Sequence, residues 1–150
     1  MKFLLHHLRA TLEKLNPKTN RMSKKKEVKQ GEIWMCNLPK GEDSEQMGVR
    51  PCLVMSLDIR NETSSNVFVF PITHAKKKDQ PCHYILYKEN YPFFTYKENT
   101  VLCEEGRSIS KNRLDRCIGV IFAKDLIEIL KCKEFVFVEK NDWQSSFFVV

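Results

Sequence analysis

Asp43-Ser-Glu-Gln-Met-Gly-Val-Arg-Pro-Cys-Leu-Val-Met55 changes character at its midpoint. Its first half is polar and contains Gly48, the composition of a loop. Its second half is an apolar run that reads as a strand over 51–57. Arg50 therefore stands at a loop-to-strand junction, where the proline that follows restricts its backbone. Such a junction holds a guanidinium still. Short runs of the same texture, rich in Val, Ile, Phe and Tyr and parted by polar turns, recur on both sides, and they predict strands over 32–37, 66–72, 83–88, 100–104 and 117–122. A helix is expected over 123–133, with Leu126, Ile127, Ile129 and Leu130 as its apolar residues. Beyond it, Phe135 and Phe137 alternate with Val136 and Val138, the pattern of a last strand over 134–139, and the apolar end at 147–150 needs cover. Closely spaced strands with one late helix define a mainly β class, either a small barrel or a strongly curved sheet.

Upstream of Gly31 the texture differs. Phe3, Leu4, Leu5, Leu8, Leu12 and Leu15 fall mostly at three- and four-residue intervals and predict an amphipathic helix ending before Pro17, followed by a Lys-rich linker. Residues 1–30 thus form a basic leader of helix and linker, and 31–150 form the domain. The whole chain has 150 residues, 42% of them hydrophobic, and carries a formal charge of +6, which suits one folded domain and excludes a wholly disordered chain. The charge is unevenly placed. The leader holds nine Lys or Arg against two Glu, a net of +7, so the remaining 120 residues carry −1. An anion-binding surface on the domain must rest on a few placed cations, not on bulk charge.

Six cysteines lie far apart with no CxxC pair and no histidine at a zinc-ligand spacing, so no metal site is expected, and most should behave as small buried hydrophobes. Free thiols fit a cytoplasmic setting. Residues 1–5 begin like a secretion signal, but His6, His7 and Arg9 interrupt the apolar run, and no segment has the length of a membrane span. The sequence has no phosphate-binding glycine loop, no GxSxG and no HExxH. Three segments carry candidate chemistry: the Arg50 junction, the strand end at Pro71-Ile-Thr73, and Arg107-Ser-Ile-Ser110. Singly, each has an ordinary explanation as a surface ion pair, a strand-end hydroxyl or a solvated charge.

Together they resemble a family. Gly31-Glu-Ile-Trp34, Ser44-Glu-Gln-Met-Gly-Val-Arg-Pro51, Pro71-Ile-Thr73 and Arg107-Ser-Ile-Ser-Lys-Asn-Arg-Leu114, in that order, resemble the MazF/PemK toxins of bacterial toxin-antitoxin systems over about residues 31–130. The resemblance implies an SH3-like barrel that forms homodimers, pairs with a cognate antitoxin protein and cuts single-stranded RNA, mRNA included, at short motifs with neither metal nor other cofactor. It implies a catalytic pair at Arg50 and Thr73, with 2′-hydroxyl attack leaving a 2′,3′-cyclic phosphate and a 5′-hydroxyl. Substrate contacts are expected at Ser44, Glu45, Gln46, Gly48, Glu105, Arg107 and Ser108, and stacking surfaces at Trp34, Phe93, Phe94 and Tyr96. Lys76, Lys77, Lys78 and Arg113 are candidate phosphate contacts.

An arginine is a poor base at neutral pH and a threonine alone accepts no proton effectively, so the proton acceptor is open among Glu45, His74 and Glu105. The leader helix and the segment after Lys133 lie outside the match, and within it the family pattern is broken at two places: Asp43 replaces a usual glycine, and Glu105-Gly106 replaces a glutamine and an aliphatic residue. They motivate one competing reading, a degenerate copy that cleaves nothing. Another is a non-catalytic module of the same barrel that poisons DNA gyrase through protein contacts.

Overall fold

The computed structural model describes residues 26–137. The expected leader helix and the apolar end at 147–150 lie outside the described residues. Strands β1 (Glu32–Leu38), β2 (Gly48–Val54) and β3 (Asn66–Thr73) form an antiparallel meander, with the short helix α1 (Asp58–Thr63) between β2 and β3. Then follow β4 (His83–Tyr87), β5 (Glu98–Leu102), β6 (Arg107–Ser110), β7 (Leu114–Val120) and helix α2 (Ala123–Glu134). All seven strands join one sheet in the order β4-β5-β3-β2-β1-β7, with β6 also on β3. This is the mainly β, SH3-like architecture with a C-terminal helix.

The meander is buried on both faces, which is why its strands read as nearly continuous apolar runs. Ile33, Leu53, Phe70 and Ile72 enter one core with Leu86, Tyr91, Phe94, Val101 and Ile129. Trp34, Cys36, Leu38, Cys52, Val54, Val67 and Val69 alternate with them and fill a second core with Ile109 and Leu114. Helix α2 closes the first core through the fully buried Ile129, whose burial is worth about 1.5–3 kcal/mol. Its first turn is tied down by tyrosines: Tyr84 donates to Asp125 Oδ1 at 2.6 Å, Tyr91 donates to Asp125 Oδ2, and Tyr91 Oη accepts the Phe122 N–H at 3.0 Å.

Proline 71 sits inside a central strand, where a missing N–H normally breaks a ladder. Phe68 turns its backbone toward β2, its carbonyl accepting from Met55 at 2.8 Å and its N–H reaching Ser56 Oγ at 2.9 Å. By alternation Pro71 faces the other side, where a three-residue 3-10 turn, Cys103–Glu105, interrupts the edge between β5 and β6. No ladder bond is lost there.

One expectation is corrected. The strand over 134–139 is not formed in its described part: α2 runs to Glu134, and the N–H groups of Phe135, Val136 and Phe137 bond back to Cys132, Lys133 and Glu134 in a turn. Only Val136 packs on the core, while Phe135 and Phe137 are exposed, so the aromatic alternation marks the outer side of a helix end. Strand β2 also starts three residues earlier than expected, because Gly48 at φ 76° turns the chain directly into pairing with Leu38.

Candidate active site

The loop before β2 folds back on the strand through Arg50. Arg50 Nε and Nη2 donate to the Met47 carbonyl at 3.0 and 2.7 Å, and Nη1 donates to Gln46 Oε1. Three of the five N–H donors of a guanidinium are spent on this clamp, and two remain. Gln46 is buried, its amide reaches the Ser44 carbonyl at 3.5 Å, and its own carbonyl accepts from Arg107 Nη2. Arg107 leaves β6 beside Val69 with its Nε buried and without a partner, and its Nη2 bond to Gln46 ties the loop to that strand.

Thr73 ends β3 opposite Thr100 and is only 7% exposed. Its Oγ1 accepts the Ala75 N–H at 3.2 Å, so the hydroxyl proton is left for another acceptor. The next residue, His74, stacks flat on Tyr96, with ring centroids 3.7 Å apart and planes 8° from parallel. Asn99 pins that platform from below, donating to the Tyr96 carbonyl at 2.9 Å and the Leu86 carbonyl at 3.4 Å. Arg50, Gln46, Thr73, His74, Phe94 and Tyr96 line one groove of about 620 Å³. Its other charged lining residues are Lys77 and Arg116, and no carboxylate lines it among the described residues. Such a groove suits a polyanion with unstacked bases.

The structure gathers part of the expected site. Arg50, Thr73 and Gln46 meet in the groove, and Arg107 reaches it through Gln46. Ser44 and Glu45 on the loop and Gly48 at the start of β2 are exposed and outside the groove lining, with Glu45 Oε2 accepting the Glu42 N–H at 3.0 Å. Glu105, in the 3-10 turn before β6, and Ser108, in β6, also lie outside it. Of the aromatic candidates, Phe93, Phe94 and Tyr96 line the groove, whereas Trp34 is buried in the second core and donates to Glu32 at 2.8 Å. Sequence reading missed Asn99 and Arg116. Asn99 is a buried amide whose carbonyl partners come from β4 and the loop before β5, and Arg116 is an exposed charge next to the opposite charge of Asp115 on its strand; neither has a one-dimensional signature.

Both departures from the family pattern have local causes. Asp43 has φ 49°, a left-handed conformation natural to glycine and tolerated by Asp. Gly106 lies against the Phe68 and Phe70 rings, which meet edge to face at 5.9 Å.

Strand pairing also brings Cys82, His83 and Glu104 together, with ligand atoms within 4.8 Å of one another, a cluster that sequence spacing hides. His83 Nε2 and Glu104 Oε1 are 2.6 Å apart, and burial, then the Glu104 carboxylate, pushes the Cys82 thiol up, which makes it a poor metal ligand. Cys36, Cys52 and Cys103 are buried like Cys82, Cys132 is half-buried, and Cys117 is exposed.

Fold and site first define a class: a small, two-core β protein with a cationic groove at its strand ends. The chain belongs to the PemK-like, MazF-like toxins of type II toxin-antitoxin systems, whose family model matches residues 29–136. The endoribonuclease MazF of Staphylococcus epidermidis is 29% identical over 103 residues, covering 68% of this chain and 84% of that protein. The endoribonuclease EndoA of Bacillus subtilis is 36% identical over 88 residues, covering 58% and 74%. Solved structures show the same fold. MazF from Deinococcus radiodurans superposes with a TM-score of 0.61 at 22% identity, covering 72% of this chain and 94% of that one. A mycobacterial endoribonuclease in complex with its cognate antitoxin superposes with a TM-score of 0.59 at 16% identity, covering 73% and 93%. Among the described residues no helix is long and apolar enough to cross a membrane.

Proposed function

We propose that this chain is the endoribonuclease toxin of a toxin-antitoxin pair, cleaving single-stranded RNA in the groove with Arg50 and Thr73 as its catalytic pair. The observation that carries this reading is the shared groove: two unspent donors on a clamped Arg50 and an unspent hydroxyl proton on Thr73 border the same space. In the reaction the ribose 2′-oxygen attacks the adjacent phosphorus, the bond to the 5′-oxygen breaks, and negative charge grows on the non-bridging oxygens. Arg50 meets that charge with its two remaining N–H groups, and Thr73 adds one O–H. Because both are fixed beforehand, they stabilise the transition state without reorganising, and removing one such donor costs on the order of 10²–10³ in rate. The named relatives disfavour a gyrase-poisoning module, since they are endoribonucleases.

No step in this scheme uses a metal. The protein works as a homodimer in the cytoplasm, where an antitoxin covers the groove; the antitoxin complexes known for structural neighbours support that partner. Purified protein is expected to cleave single-stranded RNA in the presence of EDTA, with the activity gone in Arg50→Ala and Thr73→Ala variants of unchanged circular dichroism. Cleavage by both variants at the wild-type rate refutes the assignment.

A further inference from the structure

Transesterification needs a group that takes the 2′-hydroxyl proton, and neither Arg50 nor Thr73 can do so at neutral pH. The ionisable residues facing the groove are Arg50 from β2, His74 and Lys77 from the loop after β3, Tyr96 from the segment before β5, and Arg116 from β7. Arginine and lysine side chains carry donors and no acceptor lone pair, and a tyrosine hydroxyl is a weak proton acceptor. Histidine is the side-chain type that exchanges a proton in the working range. The other two candidate bases are placed elsewhere: Glu45 accepts a backbone N–H within its own loop, and Glu105 belongs to the 3-10 turn before β6.

We propose that His74 is the proton acceptor of the cleavage step, a reading that rests on the endoribonuclease function proposed above. His74 follows Thr73 directly, and the Thr73 Oγ1 bond to the Ala75 N–H fixes the backbone on which it stands. Tyr96 holds the imidazole by its flat face. A face-to-face stack leaves the in-plane lone pair at the ring edge, and neither ring nitrogen of His74 has a hydrogen-bond partner among the described residues. The contrast is His83, whose Nε2 is engaged by Glu104.

The step balances without a co-reactant. The 2′-O–H proton passes to an imidazole nitrogen as the 2′-oxygen bonds to phosphorus. The phosphorus–5′-oxygen bond breaks, its electron pair leaves on the 5′-oxygen, and that oxygen takes a proton from water. His74 then returns its proton to solvent, so the net products are the 2′,3′-cyclic phosphate and a 5′-hydroxyl.

The test is His74→Phe, which keeps a ring for Tyr96 and removes the lone pair. A long single-stranded transcript first locates a cleaved site, and an oligonucleotide with 2′-deoxyribose at that site serves as a non-cleavable probe of affinity. At saturating RNA the wild-type rate is expected to rise with pH across the range where histidines titrate and then level. In His74→Phe the rate falls by on the order of 10²–10⁴ and that limb disappears, while probe affinity stays the same. His74→Ala falls likewise and recovers when imidazole is added. A His74→Phe enzyme that keeps its rate and its limb overturns the proposal. So does one that loses only affinity, which makes His74 a base-stacking platform. Failure of the underlying reading looks different: the wild type itself cleaves nothing, and both fall together.

Discussion

Gly106→Ala tests how tightly the turn before β6 packs against the Phe68 and Phe70 rings. The backbone there, φ −60° and ψ 134°, suits any residue, so only space is at stake. A Cβ at this position meets Phe70 Cε1 at 2.6 Å and Cδ1 at 2.8 Å, and Phe68 Cε1 at 3.0 Å. Carbon atoms rest about 3.5 Å apart or more, so the Phe70 ring has to retreat by about 0.9 Å. It has little room, being 3% exposed within the first core and braced by Phe68. Overpacking of this kind costs about 1–3 kcal/mol. In a Phe70→Leu background the obstructing ring atoms are gone, and the same substitution should cost less, giving a coupling energy of about 1–2 kcal/mol. Urea unfolding of the four proteins, followed by circular dichroism at constant m-value, measures it. An equal cost in both backgrounds, or none in the wild type, refutes the steric account.

Asn61→Ala should destabilise by about 2 kcal/mol, because it removes a buried amide that accepts from Ser56 Oγ at 2.6 Å and donates to the Ser56 carbonyl at 2.9 Å; a urea midpoint within error of wild type contradicts this. Burial, then the bond to Asp125, pushes the Tyr91 hydroxyl up to about 12, and Tyr84 is pushed the same way. The folded state therefore keeps these protons longer than the unfolded chain, so their contribution is complete below about pH 10 and is lost as pH climbs toward 12. Urea midpoints across that window should fall, and less steeply in Tyr91→Phe; identical slopes contradict the assignment. Arg107→Ala frees the Gln46 carbonyl and loosens the clamp on Arg50, and RNA cleavage should drop by on the order of 10–100-fold, read as kcat/KM. An unchanged value removes Arg107 from the positioning set.

The sequence exposes the meander and α2 because their signals are local: apolar runs bounded by polar turns, and a helical stripe through Ile129. Strand β6 is hidden because Arg107–Ser110 is four residues long with one buried apolar side chain, and its identity comes from pairing with β3. The error after residue 134 has the same root, since Phe135 to Phe137 alternate like a strand while their backbone is spent on the helix end. Within the site, Arg50 and Thr73 are legible through the Gly-x-Arg-Pro and Pro-x-Thr patterns that contain them, although both prolines lie inside their strands. The clamp is not, because Gln46 and Arg107 meet across a separation of 61 residues. His74 is visible only as one of three candidate bases until the groove shows which ionisable groups surround it.

The central claim is that the groove at Arg50 and Thr73 cuts RNA. Sequencing the 5′ ends of single-stranded RNA incubated with the protein in EDTA tests it most directly. The account predicts new 5′-hydroxyl ends clustered at one short motif with the wild type and none with a folded Arg50→Ala variant. No new ends from the wild type, or the same ends from the variant, would contradict it.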